Sequence, residues 1–258
     1  MRVYAWRAIA RGVLLESLRR KDLWVVAILG FIIILAAGAL GFFGVTGLEV
    51  FAKDLAVSVL SMFSTILAVL TTSRLLPEEI KNRTLYPLLA RPIGRSDLLM
   101  GKLLGAVLAT WIGFLSLALL TGVALSTFHV QFELVMLQYL VAKMMGLVVL
   151  CAVSLTLSTI MTPAAAATTS LILAFGSSMI IRGLVMASYS ASDPMKLVFK
   201  GVNGLLPQYG LFDMGSRTAN VGWGAAPMWV MGALLAYMAI YSGGMMMLSW
   251  SKFRKQAI

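Results

Sequence analysis

Charged residues are scarce in this chain of 258 residues: they make up 12% of it, whereas hydrophobic residues make up 60%. The mean hydropathy is +0.93. A soluble domain of this length would carry more charge and shorter apolar runs. About 20 apolar residues, each rising 1.5 Å along a helix, cross a hydrocarbon core of ~30 Å. The composition therefore excludes an ordinary soluble fold and predicts an all-α membrane protein.

Cysteine and histidine occur once each. A single cysteine excludes an intrachain disulfide and a metal cluster built on cysteine. Cys151 lies within an apolar run and is predicted to be a buried, inert thiol. His129 has no cysteine near it in sequence, and the one carboxylate near it, Glu133, does not make up a ligand set by itself. We therefore expect no metal site.

Catalytic motifs are also absent. The chain has no His-Glu-x-x-His, no Gly-x-Ser-x-Gly and no pair of carboxylates within an apolar run. The segment nearest to a phosphate-binding loop, Gly94–Lys102, has the wrong glycine spacing and no Ser or Thr after Lys102. We therefore expect that the chain is not itself an enzyme and holds no nucleotide or other cofactor.

Six segments are long and apolar enough to cross a bilayer. They are residues 24–43, 55–75, 103–125, 137–160, 164–181 and 228–248. Pro163 predicts a tight turn between the fourth and fifth spans. Residues 182–227 contain semi-apolar pieces that are too short to cross, so they can be re-entrant or interfacial helices. All six spans are assigned to one transmembrane domain, residues 1–258.

The topology follows from the basic residues, of which 15 of 21 fall on one side of the predicted spans. Because cytoplasmic segments of membrane proteins collect Lys and Arg, both termini and the 77–102 loop are predicted to be cytoplasmic. The same rule explains the net charge of +11 without a nucleic-acid partner.

Residues 1–22 precede the first span and show helical periodicity. Trp6, Ile9, Ala10, Val13 and Ser17 share one stripe, and the arginines lie away from it. This pattern predicts an amphipathic helix along the inner leaflet. The alternative is a basic tail that only sets the topology. The residues expected at the membrane interface are Trp6, Arg7, Arg11, Arg19 and Arg20.

The 77–102 loop has its own start and stop signals. Pro77 followed by two acidic residues is typical of a helix start, although the second span can instead continue past Pro77. Thr84 can cap a short helix over 85–90, which Pro92 would end. Ser96 is predicted to cap the helix that becomes the third span.

The short helix has an apolar face formed by Leu85, Leu88 and Leu89. That face is too short to span a membrane and would suit a protein partner. Alternatively, the three leucines fold back onto lipid or onto the helix bundle.

The stretch Arg83–Gly105, RTLYPLLARPIGRSDLLMGKLLG, resembles the coupling-helix region of ABC-2 type permeases, the membrane subunits of a class of ABC transporters. The whole layout, with an elbow helix, six spans and a large outer segment between the last two, is also similar. Arg83 stands where glycine is common in that family. The resemblance is carried by Glu79, Thr84-Leu85, Leu88-Leu89, Pro92, Arg95, Leu98-Leu99 and Gly101-Lys102.

The resemblance implies a permease subunit, in most members an exporter, in a prokaryotic inner membrane. A separate cytoplasmic ATPase would bind ATP and Mg²⁺ and grip the coupling helix. A second copy or a related permease would complete the pathway within the lipid. The alternative is a non-transporting scaffold or assembly factor that recruits a cytoplasmic ATPase. The ATPase-contacting residues would be Glu78, Glu79, Arg83, Thr84, Leu85, Leu88, Leu89, Arg91, Pro92 and Arg95.

Overall fold

The structure is a computed structural model. It describes residues 2–19, 28, 30–32, 48–81, 94–127, 133–189, 193–219 and 224–255. Within these ranges the chain forms helices joined by turns and contains no β-strand. The prediction of an all-α protein is confirmed.

Nine α-helices and one 3-10 helix have both ends within the described residues, and residues 28 and 30–32 are also helical. In chain order they are α1 (Arg2–Arg19), α2 (Leu48–Ser73), α3 (Leu75–Lys81), α4 (Arg95–Thr127), α5 (Leu134–Ser158), α6 (Pro163–Tyr189), α7 (Asp193–Leu205), a 3-10 helix (Tyr209–Phe212), α8 (Gly215–Ala219) and α9 (Met228–Lys255).

Five helical segments are long and apolar enough to cross a membrane, which confirms the multi-pass transmembrane character. They overlap the predicted second to sixth spans. The predicted first span, residues 24–43, lies almost wholly outside the described residues. The five segments are Lys53–Glu79, Arg95–Val123, Leu134–Ser158, Pro163–Tyr189 and Met228–Arg254.

The second span continues past Pro77 instead of starting a new helix there. Helix α2 ends at Ser73, Arg74 forms a turn, and α3 begins at Leu75 and runs to Lys81. Proline has no backbone N–H and clashes with the preceding turn, so a break just before Pro77 is expected. The backbone N–H of Glu78 then donates to the carbonyl of Arg74 at 3.1 Å, which restores the helix.

The fourth helix, α4, starts earlier than predicted. The backbone N–H groups of Asp97 and Leu98 donate to the carbonyl of Gly94 at 2.9 and 3.1 Å. Gly94 therefore occupies the cap position that was predicted for Ser96. Pro163, in contrast, is the first residue of α6, a position that proline favours.

The spanning helices run alternately up and down, which gives the bundle two distinct ends. We call the end that holds Lys81 and Gly94 the junction end, and the end that holds Leu48 and Leu134 the far end. Helices α2, α4 and α5 form the buried centre around Leu67, Phe114 and Leu147.

Helices α6 and α9 lie at the periphery. Only 11% of the most apolar window of α6 and 6% of that of α9 is buried inside the protein. Their apolar surfaces therefore remain available to lipid or to another protein chain.

Candidate functional site at the ends of the 82–93 segment

The candidate site lies where α3 ends and α4 begins, on either side of residues 82–93. Of the predicted ATPase-contacting residues, Glu78, Glu79 and Arg95 are described by the structure. The others fall in the segment itself, outside the described residues: Arg83, Thr84, Leu85, Leu88, Leu89, Arg91 and Pro92. The described residues show how the two ends of this segment are fastened to the rest of the protein.

A buried ion pair joins α3 to α4. The ammonium of Lys102 contacts the carboxylate of Glu79; the Lys102 side chain is 1% exposed and that of Glu79 25% exposed. The same ammonium donates a hydrogen bond to the carbonyl of Leu75 at 3.2 Å. Removing one charge from such a pair leaves the other poorly solvated, so the pair stabilises the packing of α3 against α4.

Arg95 joins the start of α4 to the end of α9. Its Nη1 donates hydrogen bonds to the carbonyl oxygens of Phe253 at 3.1 Å and Arg254 at 3.0 Å. Carbonyls in the last turn of a helix lack intrahelical partners and carry partial negative charge, so a guanidinium suits them. The guanidinium carbon also lies 6.0 Å from the centre of the buried Phe253 ring. Arg95 thus caps α9.

Asp97 joins the first turn of α4 to α1. One of its carboxylate oxygens accepts a hydrogen bond from the indole nitrogen of Trp6 at 2.9 Å. Trp6, which is one of the residues predicted at the membrane interface, thus binds a spanning helix through its side chain. Asp97 therefore has two roles. It binds α1 through Trp6, and its negative charge lies at the N-terminus of α4, where the helix dipole favours it.

Two glycines allow α1 to approach α4 closely. A Cβ atom on Gly101 would lie 2.8 Å from the Cβ of Ile9, and one on Gly105 would lie 2.6 Å from the Cβ of Val13. Small residues spaced four apart commonly permit such close packing between helices in membranes. The spacing of Gly101 and Gly105 is visible in the sequence and could have indicated this contact.

The predicted stripe of α1 faces α4. Ala10, Val13 and Ser17 are buried, and Trp6 and Ile9 are half-buried. The side chains of Arg7, Arg11 and Arg19 are exposed on the other face, and Arg20 lies outside the described residues. The apolar stripe therefore packs on α4, and the position of α1 along the inner leaflet stays a prediction.

A family model matches residues 39–258 of the chain and is described as "Protein of unknown function (DUF2705)". The chain belongs to the DUF2705 family. The matched residues include the 82–93 segment and every spanning helix named above, and α1 precedes them. No match was found among curated proteins.

In this DUF2705 chain, the start of α4 is the meeting point of four helices. We call Trp6, Glu79, Arg95, Asp97 and Lys102 the junction network. Its polar contacts reach α1, α3 and α9 from the first two turns of α4. In the described ranges no three metal-ligating side chains come together.

Proposed function

We propose that this protein is the transmembrane permease subunit of an ATP-driven ABC-2 type transporter, acting as an exporter. The observation that supports this most is the junction network, because both ends of the segment that resembles a coupling helix are fastened to the spanning helices. A loop that only connected two spans would not need this set of contacts to three other helices.

In the proposed mechanism, a displacement of residues 82–93 moves the helices that are attached to its two ends. A partner that grips residues 85–90 displaces Lys81 and Gly94, and the ion pair between Glu79 and Lys102 makes α3 and α4 follow as a unit. Helix α4 has 33 residues and so extends about 50 Å at 1.5 Å per residue. It therefore carries the displacement from the junction end to the far end.

ATP and Mg²⁺ would be bound by the partner ATPase. In this chain, residues 95–102 form the first turns of a helix, and the Lys102 ammonium points to Glu79. A P-loop lysine must instead reach the phosphates from a glycine-rich loop. The geometry supports a division of labour in which this chain receives energy from a second subunit.

A second copy of the chain would complete the pathway. Helices α6 and α9 present largely unburied apolar surfaces, of which a second copy would cover part and lipid the remainder. The prokaryotic inner membrane and cytoplasmic termini belong to the same proposal. They are supported by the excess of basic residues toward the junction end and by the exposed arginines of α1.

The proposal is tested by co-expressing the chain with a candidate ABC ATPase from the same genome and co-purifying the two. We expect Leu88→Asp and Arg91→Asp to reduce co-purification and ATP hydrolysis by the complex at least about tenfold, because a buried interface does not tolerate an unpaired carboxylate. Lys200→Asp, an exposed charge change in α7, is the control and should leave both unchanged. Unchanged assembly and ATPase activity in the two loop variants would contradict the coupling role.

Movement at the far end distinguishes a permease from a scaffold that only recruits the ATPase. A cysteine introduced at Lys200 should change its rate of maleimide labelling when ATP is added to the complex, if the chain is a permease. A scaffold should show the same rate with and without ATP.

A further inference from the structure

A polar cavity of about 130 Å³ lies in the far half of the bundle. It is bounded by α2, α5, α6 and the turn that follows α7. Its polar lining includes Ser61, Thr65, Lys143, Ser178 and Asp213. The cavity has room for several water molecules or one small polar group.

Residues 205–214, which we call the inserted segment, form one wall of this cavity. A Cβ on Gly146 would lie 2.9 Å from the Cβ of Phe212, and Gly146 is roughly 18 Å along α5 from Leu134 at 1.5 Å per residue. The segment therefore reaches well into the bundle. Backbone that is not α-helical is tolerated at membrane depth only where protein buries it or where it lines a polar cavity.

Tyrosines of α9 hold the inserted segment in place. The hydroxyl of Tyr241 donates to the carbonyl of Leu205 at 2.8 Å, and the backbone N–H of Gln208 donates to the hydroxyl oxygen of Tyr237 at 3.0 Å. The position of the segment, and so the wall of the cavity, is fixed by α9.

Lys143 supplies a positive charge to the cavity. Its ammonium donates to the hydroxyl oxygens of Ser61 at 2.6 Å and Thr65 at 3.4 Å. Across the described ranges no carboxylate lies within ion-pairing distance of it. An ammonium at this depth is costly, and ionisable residues inside membranes are usually functional. Hydroxyl dipoles orient the charge, and the Asp213 carboxylate attracts it from beyond ion-pairing distance, which leaves room for a negatively charged group in direct contact with the ammonium.

Asp213 supplies a negative charge to the same cavity. Its Oδ1 accepts a hydrogen bond from the backbone N–H of Gly215 at 3.1 Å, so the side chain is held in position by its own turn. The cavity therefore contains two opposite charges that are held apart. A simple anion would be attracted by Lys143 and repelled by Asp213, whereas a ligand with both charges would satisfy each group.

We propose that this cavity binds a small zwitterion, with its anionic group on the Lys143 ammonium and its ammonium group near Asp213. A phosphoethanolamine group has this chemistry, either free or as the headgroup of a phospholipid. The exposed, apolar Phe175 also lines the cavity, so the site lies beside a lipid-facing surface. Binding at this site does not depend on the ATPase partner.

The site is tested with the purified full-length chain in phosphatidylglycerol nanodiscs. Soluble phosphoethanolamine is titrated by calorimetry, with inorganic phosphate, which is only negatively charged, and ethanolamine, which is only positively charged, as the comparison probes. In a parallel arm, phosphatidylethanolamine is added to the nanodiscs and thermal stability is measured. We expect phosphoethanolamine, free or as lipid, to bind more tightly than either comparison probe. Binding in only one arm identifies the source, and binding in neither arm overturns the proposal.

Two variants and one control test the assignment of charges. Lys143→Gln should weaken binding at least about tenfold, because it removes the partner of the anionic group. Asp213→Asn should remove the preference for phosphoethanolamine over phosphate. Lys200→Gln, which changes a lysine outside the cavity, should bind as the unaltered chain does. Unchanged binding in Lys143→Gln, or phosphate binding as tight as phosphoethanolamine in the unaltered chain, would overturn the proposal.

Discussion

The ion pair between Lys102 and Glu79 stabilises the packing of α3 on α4, because the Lys102 charge is almost completely buried. Lys102→Met is expected to lower the free energy of unfolding by about 3 kcal/mol, because it leaves the largely buried Glu79 carboxylate without its partner. The double variant Glu79→Gln/Lys102→Met should recover most of that loss, since neither charge then remains. Both values are measured by unfolding of the purified protein in detergent.

Lys53 provides the matched control at the far end. It is also a buried lysine paired with a glutamate, but the Glu133 side chain is 54% exposed and can be solvated when the lysine is removed. Lys53→Met should therefore cost less, about 1 kcal/mol. Equal losses at the two positions would show that the burial of the carboxylate does not control the cost.

At the scale of the element, the contact between α1 and α4 depends on glycine. Gly105→Ala should destabilise the protein by about 1–3 kcal/mol, because the new methyl group would lie 2.6 Å from the Val13 Cβ and 2.9 Å from the Ala10 carbonyl oxygen. It should also make α1 more accessible to protease. Gly12→Ala on the exposed face of α1 meets nothing within 4 Å and should be neutral or stabilising by up to about 1 kcal/mol. Similar behaviour of the two variants would contradict close packing of α1.

The stripe on α1 and the apolar spans could be predicted from the sequence because they depend on periodicity and length within one segment. The partner of the stripe could not be predicted, since its packing on α4 or on lipid is decided by how separate helices dock. The same limit applies to Lys102. Its position at the end of an apolar run was visible, but Glu79 became its partner only because the chain continues as a helix past Pro77.

The depth of the inserted segment was equally beyond the reach of sequence reasoning. Its length showed that it cannot cross a membrane, which left a re-entrant or an interfacial position. The choice between them depends on Tyr237 and Tyr241, which lie on another helix and satisfy its backbone groups.

At the scale of the whole molecule, the exposed apolar faces of α6 and α9 predict contact between two copies of the chain. In a Cys151→Ala background, Met179→Cys on α6 or Ile240→Cys on α9 should form cross-linked dimers with a short bifunctional maleimide. Met179 is 81% exposed and Ile240 is 77% exposed. Leu119→Cys is the control, because Leu119 is exposed on α4, a helix of the buried centre. Dimers at Leu119 alone, or at none of the three positions, would contradict this arrangement.

The inserted segment also has a consequence for the order of synthesis. Residues 205–214 leave the ribosome before Tyr237 and Tyr241, whose hydroxyls complete the hydrogen bonds of Leu205 and Gln208. The two hydrogen bonds that hold the segment therefore form only after α9 has entered the membrane. A nascent chain that stalls before α9 would lack the two tyrosine hydroxyls that hold this wall of the Lys143 cavity, so the cavity takes its final form only after α9 is made.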